Sequence, residues 1–96
     1  MTFHGHDYVE LAEHFGVAVK AGDDDVAQLT TWLNGQRKGV IWDAAVVAGC
    51  REFLGALIQE EDRAGLRSPF FRGLAAVKDD FSFMSLFLHN LEMFWT

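Results

Sequence analysis

The chain has 96 residues, half of them hydrophobic, with 14 acidic and 8 basic side chains and a net charge of −6. That length suits one domain, 1–96, with its own core, and the negative balance argues against direct nucleic-acid binding, which needs clustered Lys and Arg to neutralise phosphates. One Pro and one Cys argue against a Pro-rich linker and a disulfide framework, and a lone Cys50 points to a reducing, cytoplasmic setting.

No basic segment followed by an apolar run opens the sequence, so no signal peptide is expected. No stretch of about 18 uninterrupted apolar residues occurs either, so no membrane association is expected.

In chain order, His6–Phe15 has helical spacing. Tyr8, Leu11, Ala12 and Phe15 form an inward stripe, and Gly16 is placed to cap the helix. Val17–Val19 reads as a connector. Asp23–Asp25 opens a second helix, where carboxylates meet free N–H groups and the positive end of the helix dipole. Val26, Leu29, Thr30 and Leu33 form its stripe, with Trp32 at one edge. Asn34-Gly35 is read as its end, with Gly35 as cap, because Gln36-Arg37-Lys38-Gly39 looks like a poor strand partner.

Residues 42–63 give the longest helix, with Asp43 as N-cap and Gly65 past its end. Val46, Cys50, Phe53 and Leu57 lie on one face, widened by Val47, Leu54 and Ile58. Ala45, Gly49 and Ala56 lie close together and would let another helix approach, which accounts for a glycine that costs about 1 kcal/mol against alanine inside a helix. Ser68-Pro69 starts a short helix, which Phe70, Phe71, Leu74 and Val77 continue. Asp79-Asp80 ends it and caps the last one.

That last stretch, Phe81–Trp95, carries its polar residues at Ser82, Ser85, His89 and Glu92, a narrow helical stripe on an otherwise apolar helix. The expected architecture is therefore all-α, a compact bundle of four to five short helices with a largely buried C-terminal helix.

Several chemistries can be weighed from the same residues. His4, His6, Glu10 and His14 carry metal-ligating atoms, but His6 and His14 are two turns apart, so Glu10 can pair with either and hardly with both. A helix-turn-helix reading of Glu10–Val17 fails, since the next helix would present Asp23, Asp24 and Asp25 to phosphates. Cys50 sits among apolar neighbours, the serines fall at caps or in the polar stripe, and His89 near Glu92 reads as a hydrogen-bonded core residue. No catalytic residue and no cofactor is expected.

Elimination leaves a protein-binding module, an acidic inhibitor that docks on a basic partner. Its acidic candidates are Asp23, Asp24, Asp25, Glu60, Glu61, Asp62, Asp79 and Asp80. Its apolar candidates, for a partner or a homodimer, are Phe70, Phe71, Phe83, Phe87, Phe94 and Trp95. Small acidic inhibitors of nucleic-acid-handling enzymes, phage-encoded anti-defence proteins among them, present negative charge where a phosphate backbone would lie, and the composition parallels that class. The alternatives are a metal-binding protein or enzyme using His6, Glu10 and His14, and a structural subunit of a larger assembly.

Overall fold

The computed structural model describes residues 5–17, 25–39, 41–67 and 69–93, with side chains described for 10–17, 27–39, 41–67 and 69–91. The expected cap or anchor positions Asp23, Asp24, Ser68, Phe94 and Trp95, together with His4, lie outside the described residues, as do the side chains of Tyr8, His6, Asp25, Val26 and Glu92.

Within that frame the fold is all-α, as the periodicity requires. Its helices are α1 (Gly5–His14), α2 (Asp25–Gly35), α3 (Ala44–Arg63), α4 (Pro69–Ala75) and α5 (Asp80–Met93). The inward stripes are buried as read: Leu11 and Ala12 on α1, Leu29 and Leu33 on α2, Val46, Cys50, Phe53, Leu54 and Leu57 on α3. α1 rests on α2 and α3, α4 on α3 and α5, and α2 on α5.

The caps follow from free backbone groups at helix ends. Asp43 accepts from the Ala45 N–H at 2.9 Å and starts α3. Beyond α3, Gly65 takes a left-handed conformation at φ 75°. Its N–H donates to the Asp62 carbonyl and the Leu66 N–H to that of Glu61, which closes the last turn. The end of α1 repeats this arrangement through Gly16 and Val17.

The structure departs from the sequence reading in four places. Gln36–Gly39 is not excluded from strand pairing. Arg37–Lys38 (β1) and Ile41–Trp42 (β2) form a small antiparallel ladder, Arg37 opposite Trp42 and Lys38 opposite Ile41, so Trp42 precedes α3 rather than opening it. Gly39, at φ 65°, supplies the left-handed residue that the turn needs, whereas Gly35 stays in the helix without one.

The small residues of α3 admit a close neighbour at one point only, where the end of α1 comes down on Gly49. Ala45 and Ala56 are exposed. Gly49 alone is covered, by the ring of Phe15, whose Cε1 would stand 2.6 Å from an added Cβ.

α1 is as long as read but starts one residue earlier, so that Phe15 falls in the turn after it, and α5 likewise begins one residue earlier, at Asp80. On α5, Phe83, Met84, Phe87, Leu88 and Leu91 are buried and Ser82, Ser85 and His89 face water, as the polar stripe demands. The wet arc is wider than that stripe, because Phe81 and Leu86 are 41% and 46% exposed on either side of it. Asn90 takes the buried polar place assigned to His89 and donates to the Leu86 carbonyl at 3.3 Å.

Thr30 is 8% exposed and its hydroxyl has no hydrogen-bond partner among the described residues. A buried hydroxyl left unpaired costs about 1–3 kcal/mol, and valine has nearly the same shape and helix propensity. Thr30→Val should therefore raise the midpoint of thermal unfolding by about 4 °C or more. A lower midpoint, read by circular dichroism, would show that the hydroxyl is satisfied in solution.

Candidate functional site

The acidic residues divide into those that hold the fold and those that face water. Asp79 belongs to the first group. Its carbonyl accepts from the Phe83 N–H at 2.9 Å, and its carboxylate accepts from the Ser82 N–H at 2.8 Å. That backbone donor, followed by the Ser82 hydroxyl, holds the Asp79 carboxyl below the usual carboxylate range.

Asp80 sits 3.2 Å from an Arg51 guanidinium nitrogen, and Asp62 pairs with Arg72. Three of the expected docking carboxylates are thus engaged within the chain. Glu60 is exposed at the end of α3, with Glu61 half-buried beside it.

A different acidic grouping emerges where α1 crosses α3. Glu10 and His14, one turn apart on α1, face Glu52 on α3 across an open cleft of about 340 Å³ floored by Phe53 and Ala56. His14 Nε2 lies 3.8 Å from Glu52 Oε2, and its ring meets Phe15 edge-on with centroids 5.2 Å apart. Glu13, also exposed, adds a third carboxylate to this end of α1.

Periodicity alone placed Glu52 on a solvent line. The signal for its place beside the cleft is tertiary, because the dent at Gly49 brings α1 down on this part of α3. Among the described residues, no group of three or more His, Cys, Asp or Glu side chains is arranged to hold a metal ion. Two carboxylates over an apolar floor suit a different guest: a Lys or Arg side chain, with its stem on Phe53 and its charge between the glutamates.

The apolar candidates are placed less favourably for docking. Phe71, Phe83 and Phe87 are buried in this chain's own core. Phe70 is half-buried and stacks edge-on against Phe71 at 5.7 Å. It borders a groove of about 290 Å³ between α4 and α5, with Pro69, Leu74, Val77, Leu86 and Asn90. No helix among the described residues is long and apolar enough to cross a membrane.

Two predictions test this division. Burial pushes the Cys50 thiol up to about 12, so it should resist iodoacetamide at about pH 8 and react fully once unfolded; rapid labelling of native protein would place it at the surface. A carboxyl held low contributes stability above its unfolded pKa and loses it as pH falls through the folded one. Asp79→Ala should therefore lower the unfolding midpoint at about pH 5 and above, with the gap narrowing toward about pH 2. A gap that stays constant with pH would remove the capping carboxylate from the account.

Comparison with known protein families, with curated proteins and with solved structures finds no match to this chain.

Proposed function

We propose that the chain is a small protein-binding module that docks on a basic protein surface. In the most specific form of this reading it is an inhibitor of a nucleic-acid-handling partner, presenting carboxylates where phosphates would lie. The observation that carries the reading is the cleft in which Glu10 and Glu52, from two helices, stand over the apolar floor of Phe53 and Ala56.

A net charge of −6 supplies the long-range attraction. The cleft supplies a place where one basic side chain can be held at short range. Glu60, on an exposed turn of the same α3 helix, adds negative potential nearby. Steering by charge raises the association rate and makes it depend on salt, because ions screen charges over about 10 Å at 0.1 M.

The partner would be captured from the native host on immobilised protein, and its binding then measured with purified components. Affinity should fall at least about tenfold between 50 mM and 500 mM salt. The double variant Glu10→Lys, Glu52→Lys should weaken it by a similar factor with unchanged circular dichroism. Binding that ignores both salt and charge reversal would overturn the docking mode.

A further inference from the structure

One imidazole lines the cleft that the docking reading uses. His14, the last residue of α1, has Glu10 one turn before it and Glu52 opposite on α3, with 3.8 Å between its Nε2 and Glu52 Oε2. Glu13 precedes it in sequence and is exposed. The side chains of α2 described over 27–35 include no ionisable group. On α3, Arg51 adjoins Glu52 in sequence but donates to the carbonyls of Val77 and Lys78. Among the described residues, the ionisable groups that face this ring are therefore carboxylates.

A single proton decides what Glu52 does. A neutral imidazole offers Glu52 no opposite charge, so the carboxylate is left for an incoming cation. A protonated imidazole is itself a cation, already at ion-pairing distance from that carboxylate. Glu10 stands four residues before His14, the order in which an acid supports a base one turn later on a helix. The charged ring then takes the guest's place between the two glutamates and cancels one of the cleft's two negative charges. Histidine is the side chain whose charge changes between about pH 5 and 8, a range in which glutamates stay largely ionised.

We propose that His14 gates the cleft: neutral, it leaves Glu10 and Glu52 open to a basic side chain, and protonated, it closes the pair by binding Glu52 itself. The inference rests on the docking reading and adds regulation to it, since a partner held at about pH 7.5 is released at about pH 5.5. The His14 and Glu52 side chains are 38% and 79% exposed, so the ring trades its proton with solvent without any part of the fold opening. The coupling is reciprocal, and a cation seated between the glutamates keeps the proton off the ring.

Rhodamine-labelled hexa-arginine serves as the probe, its binding followed by fluorescence anisotropy in low salt at about pH 7.5 and 5.5. Wild type should bind it at least about threefold more weakly at the lower pH, the size expected of exposed ion pairs. His14→Gln should lose most of that fall. His14→Lys, charged throughout, should bind weakly at both pH values, and both variants should keep the wild-type circular dichroism. Wild-type affinity that ignores pH, or a fall that persists in full in His14→Gln, would overturn the gate and leave the docking reading standing. Hexa-arginine held equally well at about pH 7.5 by wild type and by the Glu10→Lys, Glu52→Lys double variant would overturn the docking reading and the gate with it.

Discussion

The arrangement of the C-terminal half depends on one guanidinium. Arg51, in the middle of α3, donates to the carbonyls of Val77 and Lys78 at 2.8 and 3.2 Å, and its other contact is the Asp80 carboxylate. Its guanidinium carbon lies 4.2 Å from the ring centre of Phe83. The two carbonyls follow the end of α4, where no further helical turn supplies donors. A rigid fork of N–H groups can serve both carbonyls and the carboxylate while its face rests on an aromatic ring, and an ammonium cannot. Holding this bend against α3 fixes where α5 begins, and so which of its faces turns inward with Phe83 and Phe87.

A second charge–aromatic contact ties the hairpin into the same region. The Arg37 guanidinium lies 5.4 Å from the Phe81 ring centre and 5.9 Å from that of Trp42. Two of the eight cations are thus committed to aromatic rings, and Arg72 to Asp62. The carboxylates show the same division of labour. Asp43, Asp62, Asp79 and Asp80 cap helices or pair with arginines, while Glu10 and Glu52 border a cleft on the opposite flank of α3. Among the described residues, each aspartate side chain thus has a partner within the chain, and the cleft is bordered by glutamates. A reading that counts acidic residues in runs would weight the two groups alike.

Much of this was legible in the sequence where a rule acts over a few residues. Asp43, Asp79, Gly16 and Gly65 stand where caps are required, and three- and four-residue spacing picks out the buried faces of α2 and α3. The hairpin was not legible, because strands of two residues carry no periodicity and the Gly39 turn competes with the more familiar Asn34-Gly35 signal. Arg51 shares a helix face with Val47, Leu54 and Ile58, and a cation on an inward face demands specific partners; that clue was present, but only the fold names the partners. Periodicity likewise marks the wet stripe of α5 without saying that its neighbours Phe81 and Leu86 would stay uncovered. That outcome depends on how far α4 and the hairpin reach around the helix. The Glu10–Glu52 cleft is wholly tertiary, since its two carboxylates are 42 positions apart in the chain.

Gly49 has an effect on dynamics as well as on packing. After proline it is the residue least suited to the interior of a helix, and it sits where α3 is shielded by Phe15, whose ring also lies 5.2 Å from that of Trp32 on α2. If that ring swings away, a bare turn of α3 backbone meets water with no side chain to protect its hydrogen bonds. The ring thus couples the exposure of α3 at its midpoint to the seating of the first helix, and amide protons around Gly49 would report on both.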